Sequence, residues 1–149
     1  MILKLLNDTI KETKMKVITL IEPWGSLIMH GKKTIETRSW KTNYRGELYI
    51  HTSKKRERRT DEKYLNAIEL LNSEPIYGYI IAKCTLSDCI EITESFAKKI
   101  ICFDSTNYHL GNYSAGRYAW ILKDITPLEE FIPAIGKQGF WYYHKESSL

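Results

Sequence analysis

Cysteine is scarce in this chain and badly spaced for a structural role. Cys84, Cys89 and Cys102 are odd in number, form no C-x-x-C pair and have no His at zinc-finger spacing. That argues against a disulfide framework or a zinc site and leaves buried thiols as the simple reading. Long apolar runs are missing too: nothing approaches the ~18 residues that span a bilayer. Between Met1 and Met15 the apolar residues are interrupted by Lys4, Asp8, Lys11, Glu12 and Lys14, so the stretch lacks the unbroken apolar centre of a signal peptide. The reading is of a cytoplasmic protein. There is no internal repeat, no low-complexity tract and no linker rich in Gly, Pro or Ser. Gly136-Lys137-Gln138-Gly139 is not a P-loop, which needs G-x-x-x-x-G-K-[ST]; it reads as a tight loop before a final aromatic strand. No pattern calls for a metal or a cofactor, and none is expected.

What is present is an ordinary globular composition, 43% hydrophobic and 27% charged, in 149 residues with a net charge of +4. A chain of this length fits one core. The basic balance favours a polyanionic partner only mildly, so the distribution of charge has to decide. Residues 1–14 read as an N-terminal appendage, with a short amphipathic helix over 2–14 as one option, and 15–149 as the domain.

Strands are expected at Val17 to Ile21, Thr34 to Trp40, Glu47 to His51, Tyr77 to Cys84, Arg117 to Leu122 and Gly139 to Tyr143. Pro23 at a helix start and Gly31 just past its end frame a short helix from Pro23 to His30. Tyr64, Leu65, Ile68 and Leu71 at helical spacing predict a helix over Asp61 to Asn72 with Thr60 as candidate cap, and a third helix fits Thr93 to Ile101. Too few helices alternate with strands for a doubly wound parallel sheet. The expected class is α+β: a small, mixed, mainly antiparallel β-barrel with peripheral helices.

Chemistry concentrates in Gly31-Lys32-Lys33-Thr34-Ile35-Glu36-Thr37-Arg38-Ser39-Trp40. On an extended strand Thr34, Glu36 and Arg38 share one face. Lining a cleft, Glu36 and Arg38 would pair while Lys33, at the strand mouth, offers a cation to a ligand. On an exposed edge strand the same residues are ordinary surface charges, and the pattern leaves both open. Lys54-Lys55-Arg56-Glu57-Arg58-Arg59 holds five cations in six residues after His51-Thr52-Ser53. It is either a phosphate-contacting segment or a solvated loop. Trp24, Trp40, Tyr44 and Tyr113 lie near these charges, as unpaired bases require of stacking partners, whereas Trp120 and Trp141 are assigned to packing. Arg45, His51 and Ser53 are further candidates for ligand contact, and Arg117 is placed to close the cleft from the opposite side.

Gly31, Lys33, Glu36 and Arg38 match the G-x-K-x-x-E-x-R signature of the ASCH domain family. Glu22-Pro23-Trp24, the stretch from Trp40 to Ser53, Ser114 to Trp120, and Pro133 to Trp141 resemble that family in the same order. The resemblance covers nearly everything after residue 15. It implies a PUA-like β-barrel and an RNA- or nucleotide-binding cleft beside the signature. Some relatives are amidohydrolases of N4-acetylcytidine that use a Lys, a Thr and a Glu. Lys33 matches the lysine, but Glu36 stands where the threonine belongs, and no carboxylate occurs around Tyr79 to Lys83. The alternative reading is therefore a hydrolase of a modified nucleoside or of RNA that uses Lys33 and Glu36 as an acid/base pair.

Overall fold

In the computed structural model the backbone is described for residues 11–147 and the side chains for 14–145. Six strands form one mixed sheet in the order β2-β5-β4-β3-β1-β6. They are β1 (Lys11–Leu20), β2 (Ile35–Arg38), β3 (Gly46–Thr52), β4 (Tyr79–Glu91), β5 (Tyr118–Pro133) and β6 (Phe140–Ser147). The parallel pair is β1 with β3, registered Val17 to Tyr49 and Leu20 to Thr52. Every other pairing is antiparallel. Lys11 to Lys14, where a helix was one option, are strand paired with β6; the rest of that stretch lies outside the described residues.

The expected barrel is not closed. β2 and β6 are the two edges of the sheet and share no backbone ladder. They are brought together by side chains instead. Trp40, just past β2, sets its ring edge-on against Trp120 of β5 and Phe140 of β6, with centroids 4.7 and 5.4 Å away. Arg38 at the end of β2 reaches the carbonyl of Thr19 in β1 at 3.0 Å. The short β2 runs out after four residues, so an aromatic seam takes the place of a sixth ladder.

Four helices occupy the connections: α1 (Trp24–Met29), α2 (Glu62–Leu71), α3 (Glu94–Phe103) and α4 (Ser105–His109). α2 is capped by Asp61 rather than Thr60: its carboxylate accepts from the Tyr64 amide, and Asn72 closes the helix in a left-handed conformation. Asp61 also receives Arg59, which holds its pKa down at about 2. α4 is a five-residue helix absent from the sequence expectation, capped by Asp104.

The main core lies between the sheet and α1 and is filled by Ile18, Leu48, Ile50, Ile81, Leu86 and Trp120, with Ile28 from the helix. Alternation along β3 puts Leu48 and Ile50 on one face, and the register shift in β4 between Ile80 and Ala82 lets Ile81 join Leu86 there. A second cluster, Met15, Val17, Ile80 and Trp141, fills the other face of the sheet. Trp120 and Trp141 are thus both packing residues. Cys84 is buried in the main core, where burial pushes its thiol up to about 12.

One buried polar chain ties the end of β1 to its surroundings. Trp141 donates its indole N–H to Thr19 Oγ1 at 2.9 Å, and Thr19 Oγ1 lies 3.0 Å from His51 Nδ1. His51 Nε2 is 2.8 Å from the Ala134 carbonyl. A carbonyl can only accept, so Nε2 carries the proton; in the neutral ring Nδ1 then accepts from the Thr19 hydroxyl. Burial lowers the His51 pKa and so favours that neutral ring.

Candidate functional site

The signature segment sits where the sheet leaves room. Gly31 ends α1 with φ +74, a left-handed turn suited to glycine. The chain then drops Lys33 inward before β2 begins. The sequence places Lys33 at the mouth of the strand, facing a ligand; the structure buries it to 1% exposure. Its Nζ donates to the carbonyls of Ile35 at 2.7 Å and Leu110 at 2.9 Å, and Glu36 Oε1 stands 3.4 Å away. Three acceptors surround one nitrogen, matching the three N–H of an ammonium. Burial lowers the Lys33 pKa and the Glu36 carboxylate opposes that effect.

Glu36 bridges outward from this buried charge. Its Oε1 also accepts from the Thr37 amide at 3.2 Å, and its Oε2 lies 3.5 Å from Arg38 Nε. A line of charge thus runs from the buried ammonium through Glu36 to Arg38, which is one-quarter exposed. On pattern alone Glu36 and Arg38 share a face, and both do line a cleft, where they pair.

The cleft has two lobes that meet at Arg38 and at the end of β1, Thr19 to Ile21. The first holds about 550 Å³ and its lining includes Trp24, Glu36, Arg38, Glu57, Arg59, Lys63, Asn112 and Arg117. Arg117, expected to close the cleft from the opposite side, instead sits beside β2, next to the Arg38–Tyr118 register pair, and donates Nε to the Asn112 carbonyl at 3.2 Å and Nη2 to the Thr37 carbonyl at 3.4 Å. Lys63 donates to the Gly111 carbonyl, and Arg59 is held by Asp61 at 2.7 Å. Burial lowers the Lys63 pKa, with Arg59 adding to the effect.

The second lobe holds about 820 Å³ between Trp40, Ser53, Lys54 and Lys55 on one side and the loop from Ile135 to Gly139 on the other. That loop rides on the buried chain described above. A Cβ on Gly136 would fall 2.6 Å from Thr19 Oγ1 and 2.9 Å from His51 Nδ1, so only glycine lets the backbone come this close.

The remaining candidates divide cleanly. Ser53 lines the second lobe, and its hydroxyl accepts from the Lys55 amide at 3.1 Å. Lys55 pairs with Glu57 at 3.2 Å. Arg56 lies outside both linings with its guanidinium 4.2 Å over the Tyr77 ring, and Arg58 is exposed outside them as well. His51 is buried beneath the loop, with its ring nitrogens engaged by Thr19 and the Ala134 carbonyl. Arg45 precedes β3 at the end away from Ser53 and donates to the Thr42 and Tyr44 carbonyls, so it is not brought to the cleft. Tyr44 packs on Phe140, and Tyr113 is buried. Sequence reasoning missed Glu57, Lys63, Asn112 and Lys137. A cation set between two glycines was the available signal for Lys137.

The family model described as the ASCH domain matches residues 18–133, which contain every residue that lines the first lobe. Two curated relatives share the description "Activating signal cointegrator 1". The mouse protein is 32% identical over 82 residues, covering 49% of this chain and 14% of that protein. The human protein is 30% identical over 82 residues with the same coverage. The match therefore spans a small fraction of either relative's length. Among solved structures, the crystal structure of ASCH from Zymomonas mobilis aligns with 80% of this chain and 73% of its own, at 16% identity and a TM-score of 0.51. That likeness is one of fold.

Proposed function

The chain belongs to the ASCH domain family, and on that premise we propose that it is an RNA- or nucleotide-binding module whose ligand lies across Arg38 in the two-lobed cleft. The observation that supports this reading is the distribution of cations. Arg59, Lys63 and Arg117 border one lobe, Lys54, Lys55 and Lys137 border the other, and Arg38 stands between them. The same lobes hold only two carboxylates among the described residues, Glu36 and Glu57. Seven cations thus face two carboxylates along the cleft in a chain whose net charge is only +4. Cations clustered along a cleft attract a polyanion by Coulomb forces and counterion release. Each lobe also contains an indole, Trp24 or Trp40, and aromatic faces stack on unpaired bases for about 1–3 kcal/mol each.

In this reading Lys33 acts from behind: it fixes Glu36, and Glu36 orients Arg38. The hydrolase alternative needs a lysine whose nitrogen faces a ligand. A nitrogen already donating to two carbonyls inside the protein favours binding over that chemistry.

Fluorescence anisotropy with a labelled single-stranded RNA, titrated at several salt concentrations, tests the proposal. Affinity is expected to fall steeply with salt, with a log–log slope of about 0.7 per phosphate neutralised. A flat salt response, or no binding, overturns it.

A further inference from the structure

The two lobes differ in a way that assigns parts of a ligand to each. The first contains the carboxylates Glu36 and Glu57 beside Trp24. The second contains Trp40 with Lys54, Lys55 and Lys137, and among the described residues no Asp or Glu lines it. Lys54 and Lys137 have no ion-pair partner among the described residues, whereas Arg59 is taken up by Asp61 and Lys55 by Glu57. Each lobe alone has the size of a small-ligand pocket, about 300–1,000 Å³. A mononucleotide fills one of them and leaves the other open. Arg38 is the one cation that lines both, and it is anchored on each side, to the Thr19 carbonyl and to Glu36.

From this arrangement we infer that the cleft takes a dinucleotide step of single-stranded RNA, with one base in each lobe against Trp24 and Trp40. The linking phosphate lies at Arg38 and the next phosphate at Lys54 and Lys137. The inference rests on the function proposed above and narrows it from a nucleotide to an oligonucleotide. The strand is single because a base enters a lobe of this kind only when it is unpaired and unstacked. The carboxylates of the first lobe accept hydrogen bonds, so its base is one that presents an exocyclic amine, such as cytosine or adenine.

The test compares cytidine 5′-monophosphate with the trinucleotides CpCpC and UpUpU by isothermal titration. The wild-type protein is set against the double variant Lys54→Gln, Lys137→Gln. Both lysines are exposed and unpaired, so the variant keeps the fold, which a melting curve checks. The wild type is expected to bind CpCpC at least about tenfold more tightly than the monophosphate. It is expected to bind CpCpC more tightly than UpUpU. The double variant loses most of the CpCpC advantage over the monophosphate and lowers the salt slope by about one. Equal affinity for CpCpC and the monophosphate in the wild type, or equal loss for both in the variant, overturns the two-lobe assignment while RNA binding stands. If the wild type binds none of the three probes, both readings fall.

Discussion

Replacing Lys33 by methionine separates a buried strut from a ligand-contacting lysine. The substitution removes an ammonium that donates to the Ile35 and Leu110 carbonyls and faces Glu36. Hydrogen bonds from a charged donor contribute about 1.5–3 kcal/mol each. Removing one member of a buried ion pair costs about 3–5 kcal/mol, because the other charge is left uncompensated. The Met side chain keeps most of the volume, so the cavity contribution is small. The net expectation is a loss of about 3–5 kcal/mol, a large share of the roughly 5–15 kcal/mol that holds a domain together. For a chain of this size that lowers the melting temperature by on the order of 10 °C. Urea unfolding followed by tryptophan fluorescence measures it, since Trp120 and Trp141 are buried. A second measurement isolates the charge: in a Glu36→Gln background the same Lys33→Met change should cost about 1 kcal/mol less, as the uncompensated carboxylate is gone. A Lys33→Met protein within about 0.5 kcal/mol of wild type that has lost its ligand would refute the strut and return Lys33 to the binding surface.

Thr19→Val is expected to destabilise the fold by about 1–3 kcal/mol, because the Trp141 indole N–H loses its acceptor inside the protein; a urea midpoint checks this. The His51 pKa lies below its unfolded value of 6.5, so folding favours the neutral ring. That contribution is present above about pH 6.5 and is lost as pH falls through the folded value. Comparing urea midpoints at pH 7.5 and pH 5, the wild type should lose more stability than His51→Gln, whose amide can serve both Thr19 and Ala134 without titrating; parallel losses would remove His51 from the account. Gly136→Ala drives a methyl group into Thr19 and His51 and is expected to displace the loop that carries Lys137. Trinucleotide titrations should then show weaker binding with little change for the monophosphate.

Sequence patterns reveal local structure here because local rules decide it. Pro23 and Gly31 bracket α1, and Tyr64 with Leu71 marks the buried side of α2. β5 extends to Pro133, well past the expected Leu122. Its continuation is mostly exposed and contains Pro127, so it shows no apolar alternation; it exists because β4 offers a partner ladder. The charge line at Glu36 and Arg38 is legible because strand alternation puts both on one face. The burial of Lys33 is not, since it depends on a carbonyl 77 residues away at Leu110. His51 is invisible as a loop anchor for the same reason: its partners, Thr19 and Ala134, lie 32 and 83 residues from it. Barrel closure fails for a subtler cause. The pattern identifies strands but does not say whether the first and last edges share hydrogen bonds.

The unclosed edge has a mechanical consequence. A hydrogen-bonded barrel fixes the spacing of its strands, and widening it breaks a ladder. Here the joint between β2 and β6 is made of three aromatic rings, with Arg38 reaching β1 beside them, and has no ladder to break. Trp40 meets Trp120 and Phe140 edge-on and Trp120 stacks on Phe140, so this joint adds packing but no backbone hydrogen bond. Arg38 and Trp40 are both part of that joint and part of the cleft wall, so the packing that replaces a ladder is also the surface a ligand would meet.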